Sequence, residues 1–569
     1  MQTKFRALAE LCEKLEGTPK RTLMVDLVAN FLRQLRVDEV EPATSMILGR
    51  AFPKWDQRTL EVSWATLSGV IKRLTNIGWK SFSEAFSKTG DVGSATKIVF
   101  EAAKIQRQAT LLEKPFTILE VRRSLEAIAE ATGYGSRERK ERLLETLLGT
   151  ATPLEIKYIV KVLIGEMRTG FQEGLMELAV AKAFSIPHNA VQMASMLTGD
   201  IGEVAATAKV QGKEGVLKLR FRVFRPVKPM LAQTAQDVSE ALREHEGETA
   251  LEHKLDGARI QIHKSGDVIR VFSRRLTDIT KSLPEVVKLV RNEVGVREAI
   301  LEGEVIAVGE DGSPLPFQHL MRRFRRVHDI EAMVKRIPVE LYLFDLMYLN
   351  GQSMTTAPYV ERREKLREIA GSIPLTNQII TSSPQEAESF LKEAIDKGHE
   401  GLVAKKLDSA YTLGVREKRW FKIKMALEPL DLVIVAAEYG YGRRHGWLSD
   451  YHLAAREPET GEFLVVGKTF KGLTDEEIIQ MTKQLKELAV REEQGRVVVV
   501  PQIVVEVAYN EIQESPKYKC GMALRFARIT RIRDDKSPEE ADTVHRVREI
   551  YEKQFRAKSR YLKEQSVPK

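Results

Sequence analysis

The feature that most constrains this chain is a change of hydrophobic period near Phe221. Before it, apolar residues recur at helical spacing; after it, they alternate with polar ones. A helix buries a stripe of period 3.6 and a strand a face of period two, so one layer cannot serve both. The chain therefore divides into a helical part, residues 1–215, and two strand-rich parts, 216–424 and 425–569, giving a multidomain α plus α/β plus β protein. Phe5, Leu8, Leu11, Cys12 and Leu15 define the first helix, which Gly17 stops. The same spacing predicts helices over Val25–Leu35, Leu60–Leu74, Ile118–Thr132, Leu154–Met167 and Leu175–Phe184. Breakers separate them at Thr132-Gly133-Tyr134-Gly135-Ser136, at 150–153 and at Pro187. A length of 569 residues and a hydrophobic fraction of 43% suit several cored domains and exclude a disordered chain.

Charge and cysteine usage narrow the function classes. Lys and Arg number 89 against 80 Asp and Glu, a net charge of +9 that favours a polyanionic partner, although it is modest for the size. The two cysteines, Cys12 and Cys520, make neither a four-cysteine zinc site nor a disulfide framework. No signal-like apolar core follows Met1, and no run of 18 apolar residues occurs, so a soluble, cytoplasmic protein without membrane partners is expected. Basic residues collect at helix ends, as in Arg137-Glu138-Arg139-Lys140 and Arg168-Thr169-Gly170. Such ends suit DNA phosphates and suit ordinary solvated helix caps equally.

Past Pro226 and Pro229 the strands carry an unusual set of polar residues. In Glu252-His253-Lys254-Leu255-Asp256-Gly257-Ala258-Arg259 a lysine ends an alternating run and meets an Asp-Gly turn signal. Read alone, the stretch is first of all a surface hairpin with a solvated lysine. Ala258–Ile262 and Val268–Phe272 alternate around Ser265-Gly266-Asp267, so Lys254 is expected to begin a hairpin whose return strand ends at Ser273-Arg274-Arg275. Further strands are expected over Ala299–Val308 with Glu302-Gly303-Glu304, over Val339–Tyr348 with Phe344-Asp345, at Glu400–Lys405, and at Arg419–Lys424. The period of two puts Lys422 and Lys424 on one face. Buried sheets rarely place charge so regularly. The chemistry these groups share is nucleotidyl transfer: cations clamp phosphates, carboxylates hold a hard divalent metal, and an aromatic ring stacks on a base. Gly467-Lys468-Thr469 lacks the earlier glycine of a P-loop, and Gly440-Tyr441-Gly442 has the wrong spacing for a dinucleotide fingerprint.

These motifs resemble those of the ATP-dependent DNA ligases of archaeal and eukaryotic type, within the covalent nucleotidyltransferase superfamily. The likeness runs in order through Lys254–Gly257, Ser273-Arg274, Gly303-Glu304, Phe344-Asp345, Glu400–Lys405, Lys422 with Lys424, and Arg531-Ile532-Arg533-Asp534-Asp535-Lys536. Arg525-Phe526-Ala527 departs from the family, which has proline at the third place. The resemblance implies an all-helical N-terminal DNA-binding domain, an adenylation (nucleotidyltransferase) domain with antiparallel sheets, and a C-terminal OB-fold barrel. Five strand-like runs, Asp431–Ala437, Tyr451–Arg456, Phe463–Phe470, Val497–Asn510 and Ala527–Arg533, suit that small barrel. Gly440–Gly446 makes a basic loop there, fit for DNA phosphates or for solvent, and Thr543–Lys569 starts as a charged helix and ends in a tail.

The resemblance further implies that Lys254 attacks the α-phosphorus of ATP to form lysyl-AMP. AMP then passes to the 5′-phosphate of a nick in double-stranded DNA, and the 3′-hydroxyl displaces it, as needed in replication, repair and recombination. Glu252 is implied to read adenine and Phe344 to stack on it. Arg259 and Arg274 contact ribose and phosphate oxygens, and Glu304 the ribose or a metal-linked water. Glu400, with Glu304, holds Mg²⁺, while Arg416, Lys422 and Lys424 hold phosphates. Arg533 and Lys536 orient the pyrophosphate of ATP before their domain swings about a hinge at Met425–Leu430. A free lysine of pKa about 10.4 is only about 0.1% neutral near neutral pH, so Arg259, Lys424 and Mg²⁺ are expected to lower it.

Gln108-Ala109-Thr110-Leu111-Leu112 has some likeness to the glutamine-led peptides that bind sliding clamps, with leucines in place of aromatics. The competing reading puts Leu111 and Leu112 in a helix core. The chain is expected to act as a monomer. A guanylyltransferase shares Lys-x-Asp-Gly but not the helical third. NAD-dependent ligases need a cysteine zinc module that this chain cannot build. RNA ligation and an inactive DNA-binding scaffold are the remaining rivals.

Overall fold

A computed structural model describes residues 2–103, 116–309, 312–315, 317–324, 330–424, 427–440, 442–493 and 495–553. The first part is helical as its period requires, from Phe5–Glu16 to Ile201–Leu217. Helices that the periodicity left out include Val37–Ile47, Trp79–Thr89, Val92–Ala102 and Ser136–Thr150. Several carry their own start signals. Asp91 caps the helix Val92–Ala102 through Ser94 N–H, and Thr117 and Thr152 form capping boxes with Glu120 and Glu155. Their apolar faces merge into one core running from Phe5 to Val216.

Among these helices Glu173 gathers three cations: Arg50 at 2.8 Å, Lys54 at 2.5 Å, and Lys228, which lies beyond the helical part. Burial alone would raise this carboxyl, but Lys54 and Lys228 outweigh it and pull it down to about 2. A depressed carboxylate stabilises the fold above its ordinary pKa, and that stability is lost as pH falls towards the folded value. Glu173→Gln should therefore lower the thermal midpoint of the helical part between about pH 5 and the pH near 8 at which buried Lys54 gives up its charge, with the gap to wild type closing towards pH 2. A gap that does not depend on pH in melts followed by circular dichroism would show that the carboxylate charge is not what matters.

The middle of the chain forms two facing sheets. Its strands are β1 (Leu231–Thr234), β2 (Thr249–Lys254), β3 (Ala258–Ser265), β4 (Val268–Ser273), β5 (Glu298–Ala307), β6 (Val339–Leu349), β7 (Gln352–Ser353), β8 (Gln378–Thr381), β9 (Gly401–Lys406) and β10 (Arg416–Lys424). One sheet runs β1-β10-β9-β2-β8 and the other β4-β3-β5-β6-β7. Pairing is antiparallel except for β1 on β10. The outer face of the first sheet packs on Val238–His245 and Pro384–Asp396, and that of the second on Pro284–Glu293 and Tyr359–Ile369. The expected hairpin beginning at Lys254 is not formed. Lys254 ends β2 in one sheet, and Asp256-Gly257 carries the chain across to β3 in the other. A methyl group on Gly257 would meet the Val305 carbonyl oxygen at 2.4 Å, so the Asp-Gly signal marks a close crossover between sheets. The hairpin proper is β3–β4, ending at Ser273 as expected.

The last part holds β11 (Leu430–Tyr439), β12 (Leu448–Arg456), β13 (Phe463–Thr469), β14 (Ala489–Glu493), β15 (Arg496–Val499), β16 (Val504–Ala508), β17 (Glu511–Glu514), β18 (Met522–Arg525) and β19 (Arg528–Ile532). The main path is β13-β12-β11-β15-β14, with β16 joining β11 to β19 and β17 paired with β18. Its hydrogen bonds close no barrel among the described residues. The expected strand Val497–Asn510 is two strands, because Pro501 has no N–H to continue a ladder. The chain from 544 to 553 is helical and adds Val544, Val547 and Ile550 to the core.

Candidate active site

Strand alternation assembles the site. On β2, Leu251 joins the helix-side core and His253 stacks on Phe390 of the helix beneath, at 4.4 Å between centroids. Glu252 and Lys254 therefore face the gap between the sheets. By the same rule Lys405 of β9, Trp420, Lys422 and Lys424 of β10, Arg259 of β3, Glu302 and Glu304 of β5, and Phe344 of β6 share that gap, while Leu402, Ala404, Phe421 and Ile423 face away into the core.

At one end of the gap, Lys254 Nζ lies 2.6 Å from Glu400 Oε2 and Lys424 Nζ lies 2.5 Å from the same oxygen. Gly401 makes this contact possible. Its φ of 142° is one that side chains rarely adopt, and a methyl there would strike the Ile423 carbonyl oxygen at 2.1 Å. The expected depression of Lys254 is absent in this arrangement. Burial works against the charged amine, but Glu400, Glu304 and Asp256 outweigh it and hold the pKa above the ordinary lysine value. Arg259 does not depress it, being tied to Glu302. Glu304, buried beside Lys254 and near two other carboxylates, is pushed up to about 8. Lys422 is lowered by burial and by the cations Lys424, Arg416, Lys254 and Arg274, which places all five positive groups around one region.

Deeper in the gap Glu252 is only 2% exposed. Its oxygens accept from the Tyr359 hydroxyl, from Thr376 Oγ1 at 2.8 Å and from Gln378 Nε2 at 3.4 Å, with Lys405 Nζ at 3.0 Å. Arg259 grips Glu302 through Nε at 3.2 Å and Nη2 at 2.5 Å, and also donates to the Met230 carbonyl and the Tyr411 hydroxyl. Its guanidinium lies over Phe344 at 5.3 Å, and Lys405 Nζ lies over the same ring at 4.9 Å. Tyr359, Thr376, Gln378, Tyr411 and Glu302 were not singled out from the sequence as site residues. Lys405 was legible only as the last letter of its strand motif.

The remaining expected residues sit apart from this cluster or at its rim. Arg274 and Arg416 are exposed, the first just past β4 and the second at the start of β10. Arg533 Nη1 lies 3.0 Å from both oxygens of Asp431, and Lys536 Nζ 2.7 Å from one of them. Both thus rest on the start of their own domain's β11. Arg443 and Arg444 of the basic loop pair with Asp475. Residues 425 and 426 of the expected hinge, and the clamp-like peptide Gln108–Leu112, lie outside the described residues. No helix among the described residues is long and apolar enough to cross a membrane.

The chain is similar to known proteins along nearly its whole length. The family model "ATP dependent DNA ligase domain" matches residues 229–424, "DNA ligase N terminus" matches 4–181, and "ATP dependent DNA ligase C terminal region" matches 444–536. The chain is 50% identical over 554 residues to DNA ligase 1 of Korarchaeum cryptofilum, covering 97% of this chain and 99% of that one. It is 44% identical over 560 residues to the DNA ligase of Thermococcus fumicolans, covering 98% and 100%. The solved structure named Pmar-Lig_PreS3 shares the fold at a TM-score of 0.58 and 16% identity, covering 92% of this chain and 99% of that one. Matched end to end at such identity, this chain belongs to the ATP-dependent DNA ligase family.

Proposed function

We propose that the chain seals nicks in double-stranded DNA through an AMP group carried on Lys254. The observation that carries this reading is the meeting of Lys254, Glu400 and Lys424 at the mouth of the gap, ringed by Lys422, Arg416 and Arg274. The domains on this reading are a helical DNA-binding part at 1–215, an adenylation part at 216–424, and a β part with its terminal helix at 425–569, a division supported by the separate hydrophobic clusters of the helical, middle and last parts.

In the first step the Lys254 amine gives up a proton to solvent, its nitrogen lone pair forms a bond to the α-phosphorus of ATP and sheds a further proton, and pyrophosphate leaves with the electrons of the bond between the α-phosphorus and the bridging oxygen. Lys422, Lys424, Arg416 and Arg274 hold the phosphate oxygens, and Lys424 meets the charge that develops on the α-phosphate. The amine is held charged while Glu400 faces it. With Glu400 engaged elsewhere, burial and the adjacent Lys424 and Lys422 favour the neutral nucleophile. Phe344 supplies the face on which adenine stacks, and Glu252, fixed as an acceptor by Tyr359, Thr376 and Lys405, reads its edge. Arg259 shapes that pocket through Glu302 and Phe344. Arg533 and Lys536 reach the pyrophosphate only after leaving Asp431. AMP then passes to the 5′-phosphate of the nick, and the 3′-hydroxyl displaces it.

Glu400 and Glu304 are hard oxygen donors, the kind Mg²⁺ takes. No group of three or more His, Cys, Asp or Glu among the described residues would hold a metal unaided. That fits an ion which keeps waters and substrate phosphates in its shell, and when bound it would neutralise phosphate charge. The protein acts as a monomer inside the cell.

A nick-sealing gel run side by side with ATP, GTP and NAD, on nicked DNA and nicked RNA, tests the reading. Sealing of nicked DNA with ATP is expected. Sealing with NAD but not ATP, or of RNA but not DNA, would overturn it.

A further inference from the structure

The turn after β4, which carries Arg274, is held from outside by the helical part of the chain. Gln57 Nε2 donates to the Leu276 carbonyl at 2.9 Å, and Gln57 Oε1 accepts from Asp278 N–H at 2.8 Å. The side-chain amide thus engages the turn's backbone much as a neighbouring strand would. Its second N–H donates to the Trp55 carbonyl at 3.1 Å, so both protons have acceptors and the amide's orientation is set. Trp55 is itself fixed by Asp200 at 3.0 Å and by the Arg225 guanidinium, 4.1 Å over its ring.

The turn needs such support. Leu276 has a φ of 66°, a conformation that a leucine keeps only when its surroundings hold it, and its side chain is buried against a cavity of about 520 Å³ between the helical part and the sheets. Local bonds from Leu276 N–H to the Ser273 carbonyl, at 2.8 Å, and from Ser273 N–H to the Thr277 carbonyl, at 2.9 Å, close the turn on itself. They leave the Leu276 carbonyl and the Asp278 N–H for Gln57. Arg274 stands two residues before Leu276 and directly follows Ser273, which pairs with Ile260 of β3 beside Arg259 of the gap.

We propose that Gln57 is a positioning residue for the nucleotide pocket, holding Arg274 over the phosphate site from the DNA-binding part of the chain. The inference rests on the reading above in which Arg274 contacts nucleotide phosphates. It links the helical part to the adenylation step: when that part moves off the turn, Arg274 loses its anchor.

The test is steady-state sealing of nicked DNA by the full chain, followed as pyrophosphate release against ATP concentration. Gln57→Ala and the volume-preserving Gln57→Met should each raise KM for ATP about three- to tenfold with kcat within about twofold, as expected for two neutral hydrogen bonds. Lys228→Ala, which breaks the ion pair to Glu173 across the same interface without touching the turn, should leave KM unchanged. In an Arg274→Ala background, Gln57→Met should cost nothing further. Wild-type KM in both Gln57 variants, an equal effect of Lys228→Ala, or additivity with Arg274→Ala would each overturn the inference. If Arg274→Ala itself leaves KM unchanged, the phosphate role of Arg274 fails first and the inference falls with it. If wild type takes no AMP from ATP, the functional reading fails as a whole.

Discussion

Lys254→Ala is expected to abolish transfer of label from α-labelled ATP to the protein, by about 10³-fold or more, equivalent to at least about 4 kcal/mol of barrier. No other group in the gap can replace the amine without help. Lys424 is the nearest, touching the same Glu400 oxygen, but it sits on β10 and faces the phosphate cluster. The variant should remain folded, because Glu400 keeps Lys424 as its counter-charge and Lys254 is at a strand end. It should also still join a nick whose 5′-phosphate already carries AMP, since displacement by the 3′-hydroxyl uses no amine nucleophile. Denaturing gels read both results. Label that persists in Lys254→Ala would move the nucleophile to another residue, and Lys424→Ala would then be the next variant to examine. Loss of sealing on pre-adenylated nicks together with loss of label would mean that the substitution damages the pocket as a whole.

The second large effect concerns stability. Asp345 and Arg362 are both fully buried, with Nε–Oδ1 at 2.7 Å and Nη2–Oδ2 at 3.0 Å. Arg362 Nη1 also donates to the Ala357 and Ser409 carbonyls, so one guanidinium ties the helix Tyr359–Ile369 and the loop after β9 to β6. Asp345→Ala leaves that cation buried without a counter-ion, which costs about 3–5 kcal/mol. The middle part should melt markedly earlier in calorimetry, while the helical part keeps its transition. Replacing both partners by apolar residues, Asp345→Leu with Arg362→Met, should recover much of the loss, because the uncompensated charge is gone. An Asp345→Ala protein that melts like wild type would show that Arg362 finds another acceptor. Asp345, quoted as half of a sequence motif beside Phe344, is on this geometry tied to Arg362, while Phe344 carries Arg259 and Lys405 over its ring.

How much of the site was legible follows the range of the signal. Lys422 and Lys424 share a face because strand period is a local property, and the structure keeps that face towards the gap. The helix Val25–Leu35 and the strand Ala299–Val308 were readable for the same reason, to within a few residues. Trp79–Thr89 and Val92–Ala102 were passed over, although Trp79, Phe82, Ala85 and Phe86 stand at helical spacing and Asp91 supplies a cap for the second. The run Val497–Asn510 looked continuous although Pro501 divides it. The Asp-Gly after Lys254 was read as a hairpin turn because composition shows that the chain must bend there, not which sheet receives it.

What the sequence by itself determined is the order of chemistry along the strands: a lysine, an arginine, carboxylates, an aromatic and two further lysines, each placed inward or outward by a period of two. That order is local, and backbone geometry imposes it wherever the strands form. Only the tertiary structure decided which partner each charge takes. It set Lys254 on Glu400, Arg259 on Glu302, Glu252 among Tyr359, Thr376 and Lys405, and Arg533 on Asp431. Charges act over a few ångströms whatever their separation along the chain, so pairing depends on which strands lie side by side. Lys254, which neutral solution would keep charged in any case, is held charged here by carboxylates that the fold brings to it.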